Sequence, residues 1–565
     1  MAKFREFEYR RPDISIVKET FSAALKELTE AENVERQYEA IRNINAMRKE
    51  IESMSALGRI RHTIDTIDPF YEAENAFYDE NDPIFLEMIT QYYQALIGSK
   101  YRSELEQKMG KHVFDLAEIT LKSFKPEIIA DMQEENALRT EYTKLIASAK
   151  IQFEGEERNL SQMRAFFQAH DRSLRKRAYE AHTHFFAENQ KTLDTLFDQL
   201  VKVRTHMANK LGFENFVPLG YLKLNRSDYD HTRVANFRKQ VEKDLVPAVS
   251  GLIERQRKRL GLPEMKYYDE RLKFLSGNAK PKGDANWIVE QAKQMYRELS
   301  PETHTFFTFM ADHDLFDLVS KKGKAAGGYC SFIAEHRAPF IFSNFNGTSG
   351  DVEVLTHEAG HAFQTYCSAH FEVPEYLYPT YEACEIHSMS MEFFTYPWMK
   401  LFFLEEEAKF RFTHLTEALE FIPYGVSVDE FQHFVYENPE ATPEERNTAW
   451  RRIENKYLPL RDYDDNAFLN TGTWWYRQGH IFDVPFYYID YTLAGICAFQ
   501  FWLKMNRDRG RAWQDYLHLC QLGGSQSFLS LVAEAGLKNP FEDGSVASVV
   551  SFINEQLNAI DDSKF

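Results

Sequence analysis

Through most of the first 255 residues, apolar side chains recur every three or four positions. The series Leu193, Leu196, Leu200, Val203, Met207 and Leu211 is representative. Each step returns to one face of a helix, and charged residues fill the other faces. Glycine and proline are sparse there, so long packed helices are predicted. Two segments interrupt the pattern. Residues 276–286 (S-G-N-A-K-P-K-G-D-A-N) and 437–446 (E-N-P-E-A-T-P-E-E-R) are loops by composition. Within the second, Thr442-Pro443-Glu444-Glu445 marks a helix start with proline in the first turn. The apolar run L-A-G-I-C-A-F-Q-F-W-L stops at Lys504, too short to span a bilayer, and predicts a buried helix.

Residues 323–350 carry a different pattern. Glycines bracket two β-prone runs, Tyr329–Ile333 and Phe340–Phe345, which predict two or three short strands with a hairpin among them. After residue 351 the helical pattern returns. The expected fold is mainly α with one small sheet. Ser343–Gly347 is a candidate strand for pairing with an extended peptide. No short-period repeat or low-complexity tract occurs.

Composition narrows the class. The chain has 565 residues, 44% hydrophobic and 27% charged, so a large core is feasible. Its 46 Phe and 29 Tyr serve core packing first, with a cleft lined by aromatic groups as the functional alternative. The net charge of −19 disfavours a nucleic-acid partner. The five cysteines are odd in number and form no C-x-x-C, so a disulfide framework is not expected and a reducing compartment fits. The N-terminus, M-A-K-F-R-E-F-E-Y-R-R-P-D, lacks the apolar core of a secretory signal. The expected location is cytoplasmic.

The chemistry centres on residues 354–363, V-L-T-H-E-A-G-H-A-F. Helical spacing places His357 and His361 side by side, where two imidazoles can share one tetrahedral zinc. Glu358 is one step round the helix, placed to act as general base rather than ligand. Gly360 leaves room for close backbone approach, and Thr348, Ser349 and Asp351 are possible caps. A third ligand is needed. The continuation H-x-x-G-x-x-H is absent, because Gln364 and Cys367 stand at those positions. The segment Y-P-T-Y-E-A-C-E-I-H-S-M-S-M-E-F-F (378–394) offers Glu382, Glu385 and Glu392, whose spacings of three and seven put them on one helical face. His387 points away from Glu385, and His370 reads as a surface residue.

The combination of H-E-A-G-H with E-I-H-S-M-S-M-E downstream resembles the thimet oligopeptidase family of zinc metallopeptidases, nearest its oligoendopeptidase F branch. G-G-Y-C-S-F…P-F-I-F-S-N-F-N-G-T (327–348), G-H-I-F-D-V-P-F-Y-Y-I-D-Y (479–491) and L-G-G-S-Q-S (522–527) are similar to further family segments. The likeness is strong over roughly residues 170–560. It implies an elongated, two-lobed helical molecule with a deep substrate channel: an N-terminal helical lobe over 1–125 and a catalytic region over 126–565. It also implies one Zn²⁺ per chain held by His357, His361 and Glu385, with Glu392 as the later acid. The expected activity is hydrolysis of internal bonds in short peptides, with Glu358 as base and His480, Tyr488 and Tyr491 assisting. Tyr487 is an alternative to Tyr488. Neither nucleic acid nor membrane is an expected partner. A zinc carboxypeptidase or dipeptidyl carboxypeptidase on the same architecture is the competing expectation. It needs a cation for the terminal carboxylate, for which Arg477 is placed. A non-catalytic peptide binder is a third, and the retained Glu358 argues against it.

Overall fold

A computed structural model describes residues 2–565. The molecule is mainly helical, with two small sheets. The Leu193 series lies on helix Gln190–Lys210, buried from Leu193 to Met207, with its last member, Leu211, at the C-cap. The predicted start at Thr442 is a capping box: Glu445 N donates to Thr442 Oγ1 at 3.2 Å and Thr442 N to the Glu445 carboxylate at 2.8 Å. The apolar run before Lys504 lies in helix Tyr488–Arg507, with Leu493 to Trp502 buried. Among the described residues no helix is long and apolar enough to cross a membrane.

Inside the region that reads as helical, strands β1 (Ile151–Phe153) and β2 (Glu156–Arg158) form a hairpin. Glu154 and Gly155 turn it, both with positive φ (48° and 81°), the conformation a tight hairpin turn requires.

The second sheet has the order β3-β5-β4, with β3 Phe316–Val319, β4 Tyr329–Ile333 and β5 Ala338–Phe345. β4 and β5 make the expected antiparallel hairpin, and β3 adds in parallel on the other side of β5. β5 is the central strand: β4 pairs with it over Ala338–Phe342 and β3 reaches along it to Phe345, so Ser343–Phe345 is paired on the β3 side only, and β4 has an open edge of its own.

β5 leads into helix Gly350–Ser368, which carries both histidines. Ser349 stands at its N-cap without a side-chain cap bond. Asp351 reaches back instead, accepting from the backbone N–H of Asn346 and Gly347 at 2.8 Å each, and so clasps the strand-to-helix turn. Helix Tyr381–Phe394 packs on this helix, and Tyr488–Arg507 packs along Tyr381–Phe394. The long N-terminal helix Val34–Ile64 lies against β4.

Candidate metal centre

The histidine helix and helix Tyr381–Phe394 meet at Gly360. A Cβ built there would fall 2.6 Å from Ser388 Cα and 2.7 Å from His387 O, so only glycine lets the backbones approach this closely. The contact brings Glu385 up to the histidine pair. Its Oε2 lies 3.2 Å from His357 Nε2 and 3.4 Å from His361 Nε2. Tetrahedral zinc with bonds of about 2.05 Å holds its donors about 3.3 Å apart, and Glu385 Oε2 stands at that spacing from each imidazole nitrogen. The three residues form a potential metal-binding group.

The donors are themselves held. Glu385 accepts from Ser388 Oγ at 2.9 Å and from the Tyr487 hydroxyl at 2.8 Å. His357 Nδ1 lies 2.7 Å from Glu392 Oε1, whose other oxygen is 2.5 Å from His414 Nε2. His414 Nδ1 is in turn 2.6 Å from the Tyr396 hydroxyl. A carboxylate behind a metal-ligating imidazole fixes its ring and tautomer. In the metal-free donor set, burial opposes charge on His357, but Glu385 and Glu392 outweigh it and raise its pKa well above the usual value. Burial likewise opposes ionisation of Glu385, and the charge of His361 with the His357 contact overcomes it, holding the carboxyl well below the usual range.

The spacing argument holds for two of the three acids. Seven residues bring Glu392 round to within about 20° of Glu385, whereas three leave Glu382 about 60° away. Glu382 is fully buried in a different environment. Burial raises its pKa, opposed first by Arg226, and Arg226 makes its own ion pair with Asp490 at 2.6 Å. His387 is buried and donates Nδ1 to Ala383 O at 2.7 Å, away from the donor triangle. His370 is exposed.

Glu358 is buried, and its Oε2 has no hydrogen-bond partner among the described residues. Burial raises its pKa, against the opposing influence of His357 and His361. The chain just before β4 passes close by: a Cβ at Gly328 would lie 3.5 Å from Glu358 Oε1. A buried carboxylate oxygen left unpaired beside three metal donors is costly unless something polar is to occupy the space before it.

The opposite side comes from residues 478–491. His480 lies with its ring centroid 4.8 Å from that of Tyr488 and 5.8 Å from those of Tyr487 and Tyr491. The Tyr424 hydroxyl donates to Gln478 Oε1 at 2.9 Å, which turns the Gln478 amide nitrogen toward His480 Nδ1 at 2.7 Å. Nδ1 is therefore an acceptor, and the ring proton sits on Nε2. Burial lowers the pKa of His480, keeping the ring neutral. Phe486 precedes the tyrosines with φ 66°, a strained value for an aromatic residue. It is pinned by Gln432 Oε1 on its N–H at 2.9 Å, by Arg226 on its carbonyl at 2.6 Å, and by Gly220, where a Cβ would lie 2.7 Å from the ring.

His357, His361 and Glu385 come together with Glu358 beside them, and His480, Tyr488 and Tyr491 cluster with Tyr487. Tyr487, expected only as an alternative, donates to the Glu385 carboxylate. The Tyr488 ring is buried between His480 and Tyr424, and its hydroxyl has no protein partner among the described residues. His414, Tyr396, Gln478 and Tyr424 were not expected. No local motif marks them, because each acts through a residue brought to it by folding. The Gly523-Gly524 turn packs against the segment entering helix Tyr381–Phe394, with Gly524 N donating to Tyr376 O at 2.9 Å.

Comparison with known proteins agrees with this geometry. Residues 4–124 match the peptidase M3 N-terminal domain and residues 165–550 match peptidase family M3. A solved Pz peptidase A, determined with an inhibitor, is 58% identical, with 99% of this chain and 100% of that chain aligned and a TM-score of 0.98. A Bacillus anthracis str. Ames structure designated oligoendopeptidase F is 55% identical over the full length of both chains, with a TM-score of 0.93. Oligopeptidase PepF of Bacillus subtilis (strain 168) is 21% identical over 550 residues, 90% of this chain and 78% of that protein. With a family match over most of its length and the histidine–glutamate constellation at its centre, the chain belongs to peptidase family M3 and resembles its oligoendopeptidase F members.

Proposed function

We propose that this peptidase is a zinc-dependent endopeptidase that hydrolyses internal bonds of short oligopeptides, with His357, His361 and Glu385 holding one Zn²⁺ and Glu358 acting as general base. The observation that carries the reading is the buried, unpartnered Glu358 Oε2 beside His357, His361 and a Glu385 oxygen at tetrahedral spacing from both imidazoles. Zn²⁺, when bound, supplies a lowered pKa for water and a polarised scissile carbonyl. Glu358 takes a proton from the attacking water and returns it to the leaving amine. The His480 Nε2–H and the hydroxyls of Tyr488 and Tyr491 donate to the carbonyl oxygen as it gains charge. Tyr487 orients Glu385. The open edge of β4, next to Glu358, holds the peptide extended across these groups.

Residues 1–125 form a helical lobe packed on a catalytic region, 126–565, and close one side of the site through the contact of helix Val34–Ile64 with β4. Five free cysteines fit a reducing, cytoplasmic location, and the acidic charge fits neither nucleic acid nor anionic membrane.

The test is mass spectrometry of mixed short peptides digested by zinc-replete and chelated protein. Internal cuts that vanish on chelation and return with zinc are expected. Trimming confined to C-termini would replace the endopeptidase reading with the exopeptidase one, and absence of metal-dependent cleavage would overturn both.

A further inference from the structure

The tyrosines of the substrate side hang on a stretch of chain that departs from helix. Phe486 has φ 66°, and helix Tyr488–Arg507 begins two residues later. In a continuing helix the Asp490 N–H would donate to the Phe486 carbonyl, four residues back. It donates instead to Tyr487 O at 2.9 Å. The Phe486 carbonyl is left without a place in the helical ladder, and a buried carbonyl needs a donor. Arg226 is that donor among the described residues, with Nη2 2.6 Å from Phe486 O. The same nitrogen lies 2.6 Å from Asp490 Oδ1, so each of its two hydrogens has its own acceptor.

Residues 486 and 490 are thus tied to one nitrogen. Between them stand Tyr487, whose hydroxyl donates to Glu385 at 2.8 Å, and Tyr488, whose ring packs on His480. Tyr491 follows directly, its ring centroid 5.0 Å from that of Tyr487. The tether has little play. The Arg226 and Asp490 side chains are both fully buried, and the guanidinium carbon lies 4.3 Å from the Tyr221 ring centroid and 5.4 Å from that of Tyr229. Gly220 and Gln432 fix the ring and the N–H of Phe486, which leaves its carbonyl to Arg226. A left-handed aromatic residue persists only where its surroundings hold it at every point.

We infer that Arg226 is a positioning residue for the substrate side of the site: by joining the Phe486 carbonyl to Asp490, it sets where the hydroxyls of Tyr487, Tyr488 and Tyr491 point. This rests on the peptidase reading. Arg226 acts through the tyrosines and not on the peptide itself.

The experiment is a double-mutant cycle between Arg226 and Tyr491, read in kcat, KM and zinc content, beside a crystal structure of the variant. The variant is R226M/D490L, because replacing both members of a buried pair by apolar groups spares the fold better than removing one, while the Phe486 carbonyl still loses its donor. Its kcat is expected to fall about ten- to a hundredfold with little change in KM, and one zinc per chain is expected to remain. R226K keeps a donor and is expected to retain most of the rate. In the Y491F background the further loss on adding R226M/D490L is expected to shrink to less than about threefold, because the group it misplaces is already gone. The crystal structure is expected to show Phe486 out of the left-handed region and the Tyr487 hydroxyl drawn away from Glu385. An undiminished kcat, or an unmoved segment, would overturn the positioning role. So would losses that multiply in full in the cycle, since these mark a general structural effect. The two readings fail differently. Absence of metal-dependent cleavage by the unmodified protein would overturn the peptidase reading and this role with it, whereas normal cleavage with an unmoved segment in the variant would overturn this role alone.

Discussion

On the metal side of the site the donors are tied down: His357 by Glu392, Glu392 by His414, His414 by Tyr396, and Glu385 by Ser388 and Tyr487. Across from it His480 is held through one nitrogen only, and the Tyr488 hydroxyl has no protein partner among the described residues. The first arrangement leaves the ligands little freedom, as a wall that binds one fixed ion should. The second leaves donors unspent, as a wall that meets a changing carbonyl oxygen should. On the proposed function, rigidity is put where the charge is constant and unsatisfied hydrogen-bonding capacity where charge develops. Glu358 stands between them with one oxygen committed to neither.

Glu358→Gln should break the comparison most completely. Peptide hydrolysis is expected to fall about a hundred- to ten-thousandfold while metal analysis still finds one zinc per chain. Retained turnover would remove the general-base role. Next in size, Tyr491→Phe on the substrate side should lower kcat about a hundred- to a thousandfold with little change in KM and none in zinc affinity. A change in metal content would show that the two walls are not separable. Glu392→Gln or His414→Ala should do the reverse, weakening zinc about ten- to a hundredfold in a chelator competition. Glu385→Ala should weaken it further, and unchanged affinity there would take Glu385 out of the ligand set.

The smallest effect on turnover is expected for Glu135→Gln. Burial opposes ionisation of Glu135, but Lys223 and Arg204 outweigh it and depress its pKa. A depressed carboxyl contributes stability above its unfolded value of about 4.3, and that contribution is lost as pH falls toward the folded value. Thermal melts below about pH 4.5 should show the loss in the native protein and a flatter pH dependence in Glu135→Gln. Arg204 also donates to Phe482 O at 2.6 Å, so the variant should loosen the segment bearing His480 and raise KM modestly, leaving zinc untouched.

Much of the metal side was legible in the sequence because helical spacing is a local rule. His357, Glu358 and His361 are fixed by it, and Gly360 by the closeness it permits. The same rule was too coarse for Glu382, where about 60° of rotation separates a ligand-facing acid from one buried beside Arg226. The β1-β2 hairpin was hidden because its strands are three residues long and lie between strong helical signals. The substrate side was harder to read. Tyr487 and Tyr488 are adjacent, and which of them touches Glu385 depends on the strained turn at Phe486, held by Arg226, Gln432 and Gly220 from distant parts of the chain. His414 and Tyr396 have no motif at all, since their link to the metal runs through Glu392.

The contact at Gly360 has a bearing on which ions the centre will accept. At Gly360 backbone rests on backbone, so at that point the helices bearing the histidines and Glu385 have no side chain from the glycine between them to compress or yield. The spacing of the three donors is thus close to a fixed gauge. Calcium, which asks for six to eight oxygen ligands at 2.3–2.6 Å, finds two nitrogens and too few oxygens in an opening that cannot spread. Gly360→Ala would act as a shim of one methyl group, and the property it should alter first is the ranking of zinc against larger divalent ions.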